Sequence, residues 1–406
     1  MRRLAVLSMH TSPLAQPGTG DGGGMNVYVR QLCAALARQG LECDVYTRAA
    51  SPEPAAVVAV EPGMRVHHVP AGPLAAVAKE DLPGLVEEFA HGVLTRIEHG
   101  HPADAISANY WLSGLAGHAL KHRLGLPLVS TFHTLARVKA EGDQDPTRRA
   151  RAELEVMGCS DAVLASCSVE ADQIASLYGA DPGRIEIVAP GVDHAFFSPG
   201  HRPQARRALG LDGGGPMLVF VGRIQPLKGL DVAVRALAQL TPSFPDSFLV
   251  VVGGPSGPHG AAEVARVGRL AADLGLSGRV RRVAPQPHEL LSTYYRAADV
   301  CLVPSRSESF GLVALEAAAC GTPVVASAVG GLRTLVDHGR TGFLVDGRDP
   351  ADFAAFAAEL LHHPRLAADV SERAAAQARD YTWSEAAGRL HRLCDALTTA
   401  TLVACR

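Results

Sequence analysis

Residues 304–316 read Pro304-Ser305-Arg306-Ser307-Glu308-Ser309-Phe310-Gly311-Leu312-Val313-Ala314-Leu315-Glu316. The apolar run just before them, Val300 to Val303, reads as a short buried strand followed by a Ser-rich loop. An apolar helical run then continues to Cys320 and stops at Gly321-Thr322-Pro323, a helix-ending combination. This order places Glu308 and the backbone N–H groups of Ser309, Phe310, Gly311 and Leu312 at a helix start. Such an end favours anions, phosphate above all. Glu316 falls eight residues after Glu308, a little over two turns into the expected helix, where a carboxylate can accept hydrogen bonds from sugar hydroxyls. Phosphate at the helix tip with carboxylates beside it suits a nucleotide sugar. Taken alone, the stretch fits equally well an ordinary strand-loop-helix with two solvated glutamates.

The same alternation extends outward in both directions. Strand signals recur at Leu4 to Met9, Asp44 to Thr47, Arg65 to Val69, Ala105 to Ala108, Leu128 to Thr131, Ala162 to Ala165 and Ile185 to Val188. After a Pro- and Gly-rich linker over Ser198 to Pro216, a second series runs through Met217 to Val221, Phe248 to Val252, Val280 to Val283, Val300 to Val303, Val324 to Ala326 and Phe343 to Val345. Helical patterns lie between most of them, which predicts parallel sheets covered by helices. The expected fold class is α/β, with two Rossmann-like doubly wound domains facing a central cleft. Residues 1–198 form the first domain, 199–382 the second, and 383–406 a last helix, Trp383 to Ala404, packing back on the first.

A chain of 406 residues, 47% hydrophobic and 19% charged, is long enough for two or three folded domains. A net charge of −3 offers no general attraction to nucleic acid or anionic lipid. No apolar run is long enough to cross a membrane, and Met1-Arg2-Arg3 with Leu4 to Met9 is too short for a secretory signal, so a cytoplasmic protein is predicted. The cysteines are Cys33, Cys43, Cys159, Cys167, Cys301, Cys320, Cys394 and Cys405. None is spaced Cys-x-x-Cys and most sit in apolar runs, which favours buried free thiols over disulfides or a zinc site.

In doubly wound sheets, ligands bind beyond the carboxyl ends of the strands. The first strand ends in a loop closing with Gly20-Asp21-Gly22-Gly23-Gly24 before a helix from Met25 to Arg38, a phosphate-compatible layout. Asn109-Tyr110-Trp111 and Phe132-His133-Thr134 follow two other strands, while Lys79 and Arg149 lie where they can reach the same rim. Lys, Tyr, Thr and Arg brought to one point make a phosphate site. Taken singly, each fits a surface or core-edge role, and His133 fits a structural one. No nucleophile pairs with His133, which argues against a hydrolase. In the second half, Gly222-Arg223-Ile224-Gln225-Pro226-Leu227-Lys228-Gly229 sets two cations at a strand end, suited to a diphosphate and to charge building on a leaving group.

These residues resemble a known family. Gly222-Arg223…Lys228-Gly229 and Glu308-x7-Glu316 look like the signatures of retaining glycosyltransferases of family 4 with the GT-B fold. Gly23-Gly24-Met25-Asn26-Val27-Tyr28-Val29, Lys79-Glu80-Asp81-Leu82-Pro83, Tyr110-Trp111-Leu112-Ser113-Gly114 and Thr131-Phe132-His133-Thr134-Leu135 are similar to the inositol-phosphate branch of mycothiol biosynthesis. That branch moves N-acetylglucosamine from UDP-N-acetylglucosamine to 1D-myo-inositol 3-phosphate.

The resemblance implies that Gly24, Arg223, Lys228, Gln286, Glu308, Ser309, Phe310, Gly311, Leu312 and Glu316 hold the donor. Arg223 and Lys228 would take its diphosphate, Glu316 the ribose and Glu308 the transferred sugar. His10, Gly23, Asn26, Lys79, Tyr110, Thr134 and Arg149 would hold the acceptor. Arg223, Lys228, Glu308 and His133 would act in catalysis. Partners would be an NDP-sugar, UDP favoured, and a small polar phosphorylated acceptor, with no nucleic acid, no membrane, and room for a homodimer. No cofactor and no catalytic metal is required, and a structural Mg2+ is admitted.

Asn109 stands where the family usually has His, and Gln286 where it often has Arg near the nucleotide. These departures leave open a GDP- or other NDP-sugar, a natural-product or small-thiol acceptor, or a transferase like sucrose-phosphate synthase. A non-catalytic binder and a UDP-sugar epimerase are the readings from other classes.

Overall fold

A computed structural model describes residues 1–405 except 53–54, 101, 139–145, 212–213 and 258. The strands are β1 (Arg3–Leu7), β2 (Glu42–Arg48), β3 (Val57–Glu61), β4 (Met64–Val69), β5 (Ala105–Asn109), β6 (Leu128–Thr131), β7 (Ala162–Ala165), β8 (Ile185–Ile187), β9 (Met217–Val221), β10 (Phe248–Val252), β11 (Val280–Val283), β12 (Val300–Val303), β13 (Val324–Ser327) and β14 (Phe343–Val345). The helices of the first half are α1 (Gly24–Arg38), α2 (Val86–His99), α3 (Trp111–Leu124), α4 (Pro146–Cys159) and α5 (Ser168–Tyr178). Those of the second half are α6 (Arg202–Ala208), α7 (Leu230–Leu240), α8 (Gly260–Asp273), α9 (Leu291–Ala297), α10 (Leu312–Ala319), α11 (Leu332–Leu335), α12 (Pro350–His362) and α13 (Pro364–Ala378). The last is α14 (Trp383–Thr398).

The chain divides into two units: Met1–Ala15 with Met25–Gly191 and Trp383–Arg406, and Gln16–Gly24 with Val192–Thr382. Strand spacing alone keeps residues 1–198 together. Contacts instead assign the glycine loop Gln16–Gly24 to the second unit and begin that unit's main segment at Val192. The loop leaves β1, but its polar bonds reach second-unit residues: Gln16 Nε2 donates to the Gln286 carbonyl, and the Ser256 hydroxyl donates to the Gly20 carbonyl at 2.7 Å.

Among the described residues, the first unit carries an eight-stranded sheet in the order β3-β4-β2-β1-β5-β6-β7-β8. All its neighbours are parallel except β3 and β4. The antiparallel edge strand β3 was not anticipated. Its side chains are half-buried or exposed, so it lacks the apolar run that marked the inner strands. The second unit's sheet runs β11-β10-β9-β12-β13-β14, all parallel. Counted within the unit, that is 3-2-1-4-5-6, the order of a dinucleotide-binding fold. In both sheets the order reverses beside the first strand, between β1 and β5 and between β9 and β12. The loops leaving those strand pairs diverge and open a crevice at the sheet's carboxyl edge.

Each sheet has its own core. Leu7, Ile106, Phe89, Val93, Leu112 and Phe132 are buried in the first unit, and Leu218, Leu249, Leu237, Val325, Phe353 and Leu360 in the second. Helix α7 shows why such helices form. Leu230, Ala233, Val234, Leu237 and Leu240 recur at helical spacing and are all buried. Its start is set by Gly229, whose φ of +71° ends the preceding turn. A side chain there would overlap the Pro304 carbonyl, so two strand-end loops can touch only through a glycine.

Two further expectations are corrected. The last helix stops at Thr398 instead of Ala404, and the segment after it runs on without helical structure. Cys159 and Cys405 form a disulfide, 246 residues apart in sequence, whereas all eight cysteines were expected to be free. The tail that carries Cys405 is anchored where Val403 N donates to Asp161 Oδ1 at 2.7 Å, a contact that spacing alone does not foreshadow. Cys33, Cys43, Cys167, Cys301, Cys320 and Cys394 are buried free thiols. No described helix is long and apolar enough to cross a membrane.

Leu237 is fully buried in the second core. Leu237→Ala should therefore cost about 2–5 kcal/mol, read as a lower urea midpoint for the unfolding of the second unit. An unchanged midpoint would mean that α7 does not pack as described.

Candidate functional site

In the second unit, the crevice between β9 and β12 is bordered by the two charged loops found in the sequence. Arg223 and Lys228 lie on the loop after β9, and Ser305 to Gly311 on the loop after β12. Lys228 Nζ meets Glu308 Oε2 at 2.6 Å, and the Ser305 hydroxyl donates to the same oxygen at 3.2 Å. The pair ties the two loops together across the point where the strand order reverses. Arg223 Nη1 donates to Ser256 Oγ at 3.4 Å. A Cβ on Gly23 would stand 3.1 Å from Arg223 Nε, and one on Gly24 would stand 3.4 Å from Leu312 Cδ1. The glycine loop thus lies against Arg223 and the start of α10. Gly24, expected with the donor, and Gly23, expected with the acceptor, both lie against second-unit residues here.

Helix α10 begins at Leu312, because Gly311 takes φ +107°, outside helical space. Glu316 is therefore just over one turn into the helix rather than two, and Glu308 lies wholly in the loop. Ser309, Phe310 and Gly311 lead into the helix, with Phe310 buried against Tyr381 at 5.8 Å between ring centroids. Glu316 is only 4% exposed. Its Oε1 meets His288 Nε2 at 2.7 Å and its Oε2 accepts from the Tyr295 hydroxyl at 2.9 Å. Burial works to lower the His288 imidazole, but the charge and hydrogen bond of Glu316 outweigh it and raise it above its ordinary value.

The loop after β12 is braced from beneath. Gly331 N donates to the Glu308 carbonyl at 3.0 Å, and Gly330, with φ +47°, leaves no room for a side chain over that carbonyl. His288, Tyr295 and Gly330 were missed by sequence reasoning. The Gly330-Gly331 pair was the only available signal, since His288 and Tyr295 lie in no motif. Gln286 lies after β11. Its side-chain amide donates to the Ala284 carbonyl at 2.9 Å, and its own carbonyl accepts from Gln16.

The first unit gathers a second group. Tyr110 sits just after β5 and His10 after β1, on the two sides of that sheet's reversal point. The Tyr110 ring has His10 at 4.4 Å between centroids, Lys79 Nζ at 4.7 Å and the Arg149 guanidinium carbon at 5.0 Å. Arg149 donates to Thr134 Oγ1 at 2.9 Å and to Glu153 Oε1 at 2.8 Å. Lys79, Tyr110, Thr134, Arg149 and His10 are therefore neighbours, a convergence that spacing could not show. Glu153, not anticipated, is fully buried and also accepts from Ala136 N at 2.9 Å and from the Tyr178 hydroxyl. It fixes Arg149 from behind. Asn26 Nδ2 donates to Thr11 Oγ1 at 2.7 Å and to the Ser12 carbonyl at 2.6 Å, holding the loop after β1.

His133 lies at the end of β6. Its Nε2 donates to Asn109 Oδ1 at 2.9 Å, so Asn109 fixes the ring's tautomer. Burial pushes the His133 imidazole down to about 3, which keeps it neutral at ordinary pH. It can act there as a hydrogen-bonding group, not as a cationic acid. Among the described residues, Tyr110 with φ +77° and His133 with φ +60° are the non-glycine residues at positive φ. Backbone strain of this kind gathers at functional sites.

Comparison with known proteins fits this geometry. Residues 23–191 match the family described as "Glycosyl transferase 4-like domain", and residues 201–377 the family described as "Glycosyl transferases group 1". The chain is 48% identical over 397 residues to D-inositol 3-phosphate glycosyltransferase 2 of Catenulispora acidiphila, covering 95% of this chain and 93% of that one. It resembles the solved sucrose-phosphate synthase of Thermosynechococcus elongatus with a TM-score of 0.91 at 32% identity, covering 99% of this chain and 100% of that one. The Anabaena protein HepE, solved with UDP and glucose, shares the fold at a TM-score of 0.77 and 19% identity over 98% of this chain and 100% of that one.

The His288–Glu316 contact makes a pH prediction with a definite sign. A raised folded value means that the contact's contribution to stability is fully present below the unfolded imidazole value of about 6.5. It is lost as pH rises through the folded value. The stability difference between the native chain and His288→Gln, measured by urea unfolding across pH, should therefore shrink as pH rises. A difference that grows with pH would reverse the assignment.

Proposed function

The chain belongs to the family-4 glycosyltransferases of GT-B fold, and from that premise we propose that it transfers N-acetylglucosamine from UDP-N-acetylglucosamine to 1D-myo-inositol 3-phosphate, the sugar-transfer step of mycothiol biosynthesis, with retention at the anomeric carbon. The observation that carries the phosphorylated acceptor is the grouping of Lys79, Arg149, Thr134 and His10 around Tyr110. Two cations and a hydroxyl at one ring match a phosphate, which takes charge-assisted bonds from each.

On the donor side, Arg223 and Lys228 bind the diphosphate, Glu316 accepts from the ribose hydroxyls, and Glu308 takes the transferred sugar. The bond between the anomeric carbon and the diphosphate oxygen breaks as the acceptor oxygen bonds to the same face of that carbon. The acceptor's hydroxyl proton passes to the departing phosphate oxygen. Arg223, Lys228 and the amides before α10 offset the charge that builds there, so the step is proposed to need no resident cofactor. His133, held neutral, contributes a hydrogen bond near the sugar rather than a proton.

Lys228→Ala should lower kcat/KM by about 10²–10³ while circular dichroism and the melting temperature stay near those of the native chain. Rates within a few-fold of native would exclude this role for the lysine. Lys79→Ala should raise KM for inositol phosphate about tenfold, leave KM for the nucleotide sugar unchanged, and have no effect on binding of unphosphorylated inositol. An equal effect on both acceptors would refute recognition of the phosphate.

The structural likeness to sucrose-phosphate synthase favours one second reading, a transfer to a different acceptor by the same fold. A melting-temperature panel of UDP-, GDP- and ADP-sugars, with and without inositol phosphate, separates the two, because a ligand that binds the folded state raises its melting point. The proposal expects the largest shift with UDP-N-acetylglucosamine and inositol phosphate together. Turnover of the donor with no acceptor present would point instead to an epimerase.

A further inference from the structure

We propose that His118, His122, Cys159 and Cys405 form a structural zinc site in the first unit once the Cys159–Cys405 pair is reduced. One ligand atom from each residue lies within 4.8 Å of all the others. His118 and His122 are one helical turn apart on α3, so their rings share a face. Their Nε2 atoms stand 3.0 Å apart, and His122 Nε2 stands 3.0 Å from Cys405 Sγ. Cys159 is the last residue of α4, and its sulfur is bonded to that of Cys405.

Two imidazole nitrogens and two sulfurs at these separations match a tetrahedral S2N2 set, which selects zinc over the oxygen-seeking cations. Bonds of about 2.0–2.3 Å to one central ion require the two sulfurs to part and the other atoms to shift little.

The surroundings are built to hold such a set. Glu155 Oε1 meets His118 Nδ1 at 3.2 Å, which puts that ring's proton on Nδ1 and turns the Nε2 lone pair toward the cluster. Lys121 Nζ donates to the Cys159 carbonyl and to Asp161 Oδ2, both at 2.8 Å. The same carboxylate accepts from Val403 N at 2.7 Å through Oδ1. Asp161 thus anchors both cysteine-bearing segments. Four protein ligands leave no open position, so the ion is structural and clasps residues 399–405 to the ends of α3 and α4.

The chemistry balances in two steps. A dithiol reductant gives two electrons and two protons to the disulfide and becomes a disulfide itself. Zinc then replaces the two thiol protons, which are released, and two thiolates with two neutral imidazoles complete its shell. The disulfide and the zinc form exclude one another because both use the same two sulfurs.

The test uses the full chain, reduced with a dithiol and desalted without oxygen, then incubated with zinc chloride and desalted again. Mass spectrometry of the metal should find one zinc per native chain. His122→Ala and Cys405→Ser should each lose at least nine-tenths of it, and the oxidised chain should retain none. Cobalt in place of zinc should give the thiolate-to-metal charge-transfer band and the strong visible bands of a tetrahedral site in the native chain only. His122 is exposed, so its variant folds independently of the outcome, as circular dichroism checks. Zinc retention by the reduced native chain no greater than by His122→Ala, or a cobalt form without the charge-transfer band, would overturn the proposal.

Discussion

The ion pair between Lys228 and Glu308 joins two loops that leave neighbouring parallel strands on diverging courses. Neither partner is fully wet: the side chains are 22% and 18% exposed. Two opposite charges 4 Å apart near a protein surface attract by roughly 4 kcal/mol before the cost of desolvation. The contact can form only because β9 and β12 are adjacent in the sheet, although β10 and β11 lie between them in sequence. The reversal of strand order is thus the constraint from which the site follows. It is also why the charged residues, which look like isolated surface groups in sequence, share one rim. In the proposed transfer, a diphosphate competes with Glu308 for the lysine. Glu308 is then released toward the sugar as the lysine turns to phosphate, so one rearrangement prepares both groups.

The first unit applies the same constraint with different chemistry. Its reversal point, between β1 and β5, places His10 and Tyr110 side by side. Tyr110 and His133 are held at positive φ, which costs of the order of 1–3 kcal/mol for each. The neighbouring contacts that offset this are specific: Lys79, Arg149 and His10 around the tyrosine ring, and Asn109 with the histidine. Arg149 is itself nearly fully buried beside Glu153, so its charge is matched before any ligand arrives. Removing Glu153 alone would strand that charge, which is why such a pair acts as a unit.

Much of this was legible from the chain itself. Short β-branched apolar runs such as Phe248 to Val252, followed by glycines, read as inner parallel strands, and their ends mark the rim. Arg223, Lys228, Glu308 and Glu316 are close enough in sequence to their own strands for position to follow from topology. The rest depends on contacts between distant segments. His288, just before α9, and Tyr295, on α9, meet Glu316 on α10, and no local pattern distinguishes them from ordinary helix residues. Strand β3 hides because a half-exposed edge needs no apolar run. The glycine loop leaves β1, yet it is bonded through Gln16 and Gly20 to the second unit. Cys159 and Cys405 are 246 residues apart, and only the fold-back after Thr398 joins them.

Glu316 shows how a buried carboxylate can be both satisfied and ready. His288 takes one oxygen and Tyr295 the other, so the side chain cannot rotate. A carboxylate has about four acceptor sites, and each oxygen therefore keeps one more. Two further hydrogen bonds, at the spacing of one carboxylate's oxygens, match a pair of neighbouring sugar hydroxyls. In the proposed reaction that pair belongs to the donor's ribose. The raised His288 imidazole is consistent with this arrangement, because the charge and hydrogen bond of the same carboxylate favour the proton on the ring. Such a site spends little on ordering itself when the ligand binds, since its geometry is already fixed by groups that do not touch the ligand.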